Sequence, residues 1–309
     1  MHIDLWIALA GFIVGGVVGL TGMGGGALMT PILVLLFNVK PLAAVSSDLV
    51  AAVVMKPVGG SVHLRRGTVD VRLVKLLCLG SVPSAFVGVL LLKALGDSAD
   101  LEDRIKFVLG AALLLAAAGI IAKTVVQRAR AGHDLEPIDL RTMPLRAGPT
   151  ILIGMLGGLV VGMTSVGSGS IMIVLLLLLY PRLSAAQLVG TDLVQAVPLV
   201  ASAALGHMLF GDVEFALTGS LLLGSIPGVY LGARVSAKAP DGLIRPVLVV
   251  VLVLSAIKLL GASDAVLGAV LAVSVVAGLV ALGRRWSRVH EVVGGHREVV
   301  EQPPLEIDR

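Results

Sequence analysis

The chain is 309 residues long, 57% hydrophobic and only 14% charged, with a mean hydropathy of +1.01. No stretch carries the half-polar pattern that a soluble domain needs, so a soluble enzyme or binding module is excluded and a polytopic membrane protein is predicted. The net charge of +4 is spread over loops and tail, which suits helix orientation rather than nucleic-acid binding, and the single Cys78 excludes an internal disulfide.

Apolar runs fall, in chain order, at residues 5–20, 27–37, 42–64, 71–92 and 105–122. His2 and Asp4 precede the first run without any Lys or Arg, so the basic region of a signal peptide is missing and an uncleaved N-terminus is expected. The third run is interrupted by Asp48 and Lys56. Residues 123–146 are polar, with Lys123, Arg128, Arg130, Arg141 and Arg146 set against Asp134, Glu136 and Asp139, and with Pro137 and Pro144 to break a helix. A second series follows at 147–162, 171–180, 185–210, 213–233 and 243–261, and a last run at 265–282 precedes Arg284, Arg285, Arg288 and a charged tail. The implied division is a first transmembrane repeat at 1–126, a cytoplasmic linker at 127–146 and a second repeat at 147–262. An extra transmembrane helix at 263–283 and a cytoplasmic tail at 284–309 complete it.

Residues 3–37 carry one charge, Asp4, yet as one helix they would be about 50 Å long against a hydrocarbon core of about 30 Å. The run must therefore fold back or unwind, and residues 19–26, GLTGMGGG, put five glycines in eight positions where a helix would break. Bare amides facing lipid cost several kcal/mol each, so such a break belongs where it is buried in protein or lines a cavity. The break recurs: Gly19-Leu-Thr21-Gly-Met-Gly24-Gly-Gly26 returns as Gly162-Met-Thr164-Ser-Val-Gly167-Ser-Gly169. With one residue of added offset, Ser47-Asp48-Leu49-Val50 meets Thr191-Asp192-Leu193-Val194, His63 meets His207, Gly67 meets Gly211, and Gly80-Ser81-Val82-Pro83 meets Gly224-Ser225-Ile226-Pro227. Similarity at a fixed offset over this length marks an internal duplication.

Positive charge orients the repeats. The linker, the tail and the turn with Arg65, Arg66 and Arg72 are basic and expected in the cytoplasm, whereas the turn equivalent to the last carries Asp212 and Glu214 and neither Lys nor Arg. Asp97, Asp100, Glu102 and Asp103 dominate one further turn and Arg234, Lys238 and Arg245 its counterpart, in the same sense. Consistent placement makes each Gly-broken run return to its own side and leaves three spans per half, an odd number. The expected fold is all-α and polytopic: two inverted repeats, each a Gly-broken re-entrant or half-helix segment plus three spans, with one extra C-terminal helix.

Inverted repeats with interrupted helices are a recurring plan of secondary transporters, which bind substrate near the midplane between the broken segments. Freed amides and the positive end of the half-helix after Gly26 or Gly169 suit an anion, and Thr21, Thr164, Ser165 and Ser168 add hydroxyls. The candidate substrate set is Thr21, Gly22, Gly24, Gly25, Gly26, Lys56, Thr164, Ser165, Gly167, Ser168 and Gly169. Close packing is the alternative for glycines, and it accounts for the four-spaced sets Gly11/Gly15/Gly19, Gly154/Gly158/Gly162, Gly80/Ser84/Gly88 and Gly224/Gly228/Gly232. It does not account for the cluster at 22–26.

Ionisable groups within a span are ordinarily turned inward and functional. Asp48, Lys56 and Asp192 qualify, and with Ser47, His63, Thr191, Gln195 and His207 they form the candidate coupling path. Lys56 follows Asp48 by eight residues, about 12 Å along a helix, too far for a direct salt bridge unless Pro57 bends the span. Plainer alternatives are N-caps for Asp48 and Asp192, snorkelling for Lys56 and interfacial placement for the histidines.

The Gly-x-Gly-Gly-Gly break, Ala44-Val-Ser-Ser47-Asp48-Leu49 with its echo Gly190-Thr191-Asp192-Leu193, and the His63-Leu-Arg-Arg-Gly67-Thr-Val69-Asp70 turn resemble the TauE/SafE family over residues 5–261. That resemblance implies a duplicated bacterial inner-membrane protein associated with export of sulfite and small organosulfur anions. Many members have Thr-Ser where this chain has Ser47-Asp48 and Thr191-Asp192, and the second break has Ser165 and Ser168 where the first has Gly22 and Gly25. The sequence contains no P-loop, no dinucleotide fingerprint and no metal-ligand spacing, so neither cofactor nor catalysis is expected. The expected partners are a small inorganic or organosulfur anion, a coupling H+ or Na+, and membrane lipid. An anion channel and a non-transporting assembly protein are the other readings.

Overall fold

The structure is a computed structural model that describes residues 4–21, 25–94, 101–130, 143–235, 241–274 and 276. Its described residues form helices and no strand beyond one isolated bridge between Gly167 and Gly169. Residues 4–261 contain α1 (Leu5–Thr21), α2 (Gly26–Leu36), α3 (Pro41–Arg65), α4 (Val71–Ala94), α5 (Leu101–Arg130), α6 (Ala147–Thr164), α7 (Ile171–Leu179), α8 (Ala185–Phe210), α9 (Phe215–Val235) and α10 (Asp241–Leu259). The order α1–α5 is repeated by α6–α10, a broken pair followed by three long helices. Among the described residues, six helices, α3, α4, α5, α6, α8 and α9, are long and apolar enough to cross a membrane. The second compact unit begins at Ala262 and contains a shorter apolar helix, α11 (Asp264–Ser274). The remainder of the predicted extra helix and the tail lie outside the described residues, as does linker segment 131–142.

Local sequence sets the helix ends. Pro41 starts α3, where its missing N–H costs nothing. Ser184 caps α8 in a reciprocal capping box with Gln187. Asp48 and Asp192 therefore lie seven residues into their helices, and the reading of either as an N-cap is corrected. Helix α5 continues through Lys123 to Arg130, so the first polar residues assigned to the linker extend a helix.

The outer surface is apolar: Trp6 is 74% exposed, Leu79 and Phe107 64%, and Phe215 62%. Such a surface would aggregate in water and suits lipid. Inside, one hydrophobic cluster joins Val14, Met29, Leu33, Leu109, Leu113, Leu221 and Leu252, and a second joins Leu49, Leu73, Leu77, Met172, Leu176, Leu188 and Leu199.

Between apolar helices in lipid, small residues let backbones approach and gain dispersion contact. Helices α1 and α9 cross this way: a Cβ on Gly11 would lie 2.9 Å from the Leu221 carbonyl, one on Gly15 2.6 Å from that of Ser225, and Gly228 abuts Phe12 and Gly16. Both contact series ascend in number, so α1 and α9 run parallel. Helices α4 and α6 repeat the arrangement, with Gly80 on Ile151 and Met155, Gly158 on Ser81 and Ser84, and Gly88 on Leu159. These glycines pack, as their four-residue spacing predicts. Helices α3 and α8 run antiparallel, since Ser46 meets His207 while Gly60 meets Leu193 and Val194, and Gly190 meets His63 and Thr68. Exchanging the two halves maps α1 on α9 to α6 on α4, α4 on α8 to α9 on α3, and α2 on α10 to α7 on α5.

Candidate functional site

The second break is fully described. Helix α6 ends on Ser165 in the left-handed region, φ +60°, with its amide on the Val161 carbonyl at 2.8 Å. Gly167 (φ +130°) and Gly169 (φ +87°) then hold a backbone that L-residues with a Cβ resist. The chain turns back: Met172 packs on Gly157, and Tyr180 Oη accepts from the Arg146 amide at 2.9 Å and bonds Thr150 Oγ1 at 2.6 Å. The end of α7 thus lies beside the start of α6, and the nine residues of α7, about 14 Å, cover only half a hydrocarbon core. Ser170, Ile171 and Met172 all direct their amides to the Gly167 carbonyl, at 3.1–3.4 Å, so these three amides at the start of α7 are satisfied within the protein.

At the first break Gly22 and Gly24 lie outside the described residues, as does the Thr21 side chain. Gly25 precedes α2, with ordinary contact distances of 3.7 Å to Val18 and 3.9 Å to Met55 for an added Cβ. At Gly26 a Cβ would overlap the Ser165 carbonyl. The two breaks therefore meet, with backbone against backbone.

Helix α3 brings its charges to that meeting point. Ser165 Oγ donates to Asp48 Oδ2 at 2.6 Å, and Thr30 Oγ1 of α2 donates to the same oxygen at 3.3 Å. Two turns on, Lys56 Nζ donates to Ser168 Oγ at 2.5 Å, immediately before Pro57, whose missing N–H frees one backbone carbonyl of the helix. Asp192, on α8, accepts from Gln195 Nε2 at 3.3 Å and faces the Gly169 backbone. Gln195 Oε1 accepts in turn from Ser81 Oγ at 3.2 Å. Asp48 and Asp192 are 3% and 2% exposed, and each depends on these donors because an unpaired buried carboxylate is prohibitively costly. Lys56 acts electrostatically on both carboxylates but forms a salt bridge with neither, in keeping with the spacing.

The cluster is asymmetric. Lys56 has Val200 as its counterpart, and Ser165 and Ser168 stand where the first repeat has Gly22 and Gly25. The hydroxyls peculiar to the second break are thus the partners of Asp48 and of the lysine peculiar to the first repeat.

The remaining candidates divide. Thr164 Oγ1 donates to the Val160 carbonyl at 2.6 Å and accepts from the Val166 amide at 3.1 Å, closing the end of α6. Ser47 Oγ accepts from the Glu214 amide at 3.1 Å and so holds the turn between α8 and α9. Thr191 Oγ1 is buried without a hydrogen-bond partner. His207 is fully buried, with Nε2 donating to the Gly162 carbonyl and Nδ1 facing Ser46 Oγ, both at 2.8 Å, so the interfacial reading fails for it. His63 is partly buried on Thr68 Oγ1 at 3.0 Å, at the other end of the α3/α8 pair. Thr30 and Ser46 were missing from the sequence-derived set; the signal for Thr30 was a lone hydroxyl in the 27–37 run. A cavity of about 260 Å³ between α3 and α9 is lined by Met55, Val58, Ile226, Pro227, Val229 and Tyr230. Its walls are apolar and offer an anion nothing.

Broken helices that meet at buried, hydrogen-bonded charges within an apolar bundle define a multi-pass membrane transporter rather than an enzyme. The chain belongs to the sulfite exporter TauE/SafE family, whose pattern it matches over residues 7–259. It is 38% identical over 257 residues to "Probable membrane transporter protein YjnA" of Bacillus subtilis (strain 168), covering 82% of this chain and 98% of that protein. It is 22% identical over 239 residues to "Probable membrane transporter protein YdhB" of the same organism, covering 77% and 93%. No solved structure matches the chain.

Proposed function

We propose that the protein is a secondary transporter that moves a small oxyanion, of the sulfite or organosulfonate class, across the bacterial inner membrane by ion-coupled alternating access. The observation that carries this reading is the pair of contacts Lys56–Ser168 and Asp48–Ser165, which tie α3 of one repeat to the break of the other. A rocking motion of one repeat against the other must remake these contacts, and an oxyanion can replace Ser168 as the partner of Lys56. The sulfur-anion class is supported by the family and by the Lys56 ammonium, whose hydroxyl partner Ser168 an oxyanion could replace.

The two repeats are of opposite orientation on this reading. Support comes from the parallel pairs α1/α9 and α4/α6 combined with the antiparallel pair α3/α8: since α3 turns directly into α4 and α8 into α9, α1 and its counterpart α6 point in opposite directions. The basic turn after α3 and the linker then face the cytoplasm, and the turn at Gly211, Asp212 and Glu214 faces outward. Purified protein in liposomes loaded with sulfite tests the function: saturable, trans-stimulated exchange supports a carrier, steady unsaturable conductance a channel, and absence of flux for sulfite and short sulfonates refutes the reading.

A further inference from the structure

One helix crossing is closed in one copy and open in the other. Helices α4 and α8 meet where Ser202 Oγ donates to the Val82 carbonyl at 2.7 Å, and Phe86 packs edge-on against Phe210 with ring centroids 6.1 Å apart. Exchange of the two halves turns that crossing into α9 and α3: Ser202 becomes Val58, Val82 becomes Ile226, Phe86 becomes Tyr230 and Phe210 becomes Arg66. Val58 has no hydroxyl to draw the helices together, and the cavity of about 260 Å³ lies at this open crossing. Val58, Ile226 and Tyr230 are 45–50% exposed, so the cavity opens sideways onto the surface that faces lipid. Its volume is below the roughly 300–1,000 Å³ of small-molecule sites, and with apolar walls it suits a single alkyl chain.

The crevice also has a basic end. Ser47 of α3 holds the Glu214 amide just before α9, while Met55 and Val58 share the cavity with Ile226 and Tyr230, so the two helices run parallel. Val58, Val62 and Arg66 follow at four-residue spacing along α3 to its C-cap, and Ile226, Tyr230 and Arg234 do so along α9. Arg234 stacks on the ring of Tyr230, its guanidinium carbon 4.5 Å from the centroid, which places a cation at the mouth of the cavity. Arg66 is exposed at the same end, and neither arginine forms a salt bridge among the described residues. An apolar slot between spans with arginines at its end has the shape and charge of a phospholipid in reverse, since basic residues beside such slots attract anionic head groups.

We infer that the crevice between α3 and α9 binds an anionic phospholipid, with one acyl chain against Met55, Val58, Ile226 and Tyr230 and the phosphate held by Arg66 and Arg234. On the proposed orientation this end faces the cytoplasm, so the lipid belongs to the inner leaflet. The chain fills the space that side chains close by themselves at the α4/α8 crossing. The site is independent of what the protein transports.

The test is native mass spectrometry of the delipidated full-length protein titrated with phosphatidylglycerol or with phosphatidylethanolamine of the same chains, for wild type, Arg66→Gln/Arg234→Gln and Val58→Phe. Wild type is expected to bind one phosphatidylglycerol roughly 25-fold more tightly than phosphatidylethanolamine, about fivefold for each arginine. The double arginine variant loses that preference and keeps the wild-type unfolding midpoint in lipid-free detergent, because both side chains are exposed. Val58→Phe fills the slot and abolishes the tight binding step, and Ile226→Phe takes its place if that variant does not fold. Equal affinity of wild type for the two lipids overturns the inference, as does an undiminished preference in the double variant or tight binding in the filled variant. A dimer that excludes lipid and is broken by Val58→Phe assigns the crevice to a second copy of the chain and overturns it as well.

Discussion

Replacement of Lys56 by Met removes the fixed charge at the centre of the account and almost nothing else, since the two side chains are of similar length. Lys56 Nζ holds one hydrogen bond, to Ser168 Oγ, and no salt bridge among the described residues. A lone ammonium within a bilayer costs roughly 3 kcal/mol on insertion scales, so the lysine is not there for stability. Its loss relieves that cost and leaves Asp48 supported by Ser165 and Thr30. The expected change in Tm is accordingly small and of either sign. Binding is different: a charge-assisted hydrogen bond to an oxyanion contributes about 1.5–3 kcal/mol, so Lys56→Met should weaken sulfite affinity by roughly 10- to 100-fold. Lys56→Arg keeps the charge with a longer, planar head group, and partial activity is expected. Calorimetric titration of purified protein with sulfite, beside flux in liposomes, reads both quantities. Unchanged affinity and turnover in Lys56→Met would refute the argument and leave the lysine a snorkelling residue.

Other perturbations separate packing from function. Gly26→Ala must displace the Ser165 carbonyl and should reduce both stability and flux, whereas Gly25→Ala meets only ordinary contacts and should be tolerated, as thermal unfolding and flux of the pair would show. Ser165→Ala removes the shorter of the hydrogen bonds that Ser165 and Thr30 donate to Asp48 and should cost about 1–3 kcal/mol of stability, read as a lowered midpoint in denaturant; no loss would mean that the bond from Thr30 suffices. His207→Ala strips a partner from both Ser46 Oγ and the Gly162 carbonyl and should destabilise the α3/α8/α6 junction by a similar amount, with anion KM unchanged in whatever protein folds. A cysteine placed at Asp212 in a Cys78→Ala background should react with an impermeant maleimide only from outside; labelling only from the cytoplasm would end the inverted reading.

Much of this architecture was legible because lipid forces a simple code. Except for α5, which outlasts its apolar run by eight residues, apolar runs became helices within about two residues of their predicted ends, and small residues at four-residue spacing became the α1/α9 and α4/α6 crossings, since no other side chain admits such close backbones. The break at Ser165 to Ser170 was visible as glycine where a helix should be. Partners were less visible, because hydrogen bonds across repeats depend on the angle at which the repeats meet. Nothing in the 27–37 run announced that Thr30 would reach Asp48, and the placement of Lys123 depended on a helix outlasting its apolar stretch. Asp48 and Asp192 sat in sequences that suit an N-cap, but Pro41 and Ser184 start the helices earlier and with better chemistry. His207 was read from its place near a span end, while its burial follows from the crossing of α6 and α3 beside it.

The most direct test of the central claim is exchange of isotopically labelled sulfite across liposomes that contain the purified wild-type protein. Saturable uptake that accelerates when unlabelled sulfite is present on the opposite side, and that falls sharply in Lys56→Met, is the predicted result. Flux that rises linearly with concentration without trans-stimulation, or that is the same in wild type and Lys56→Met, would contradict it.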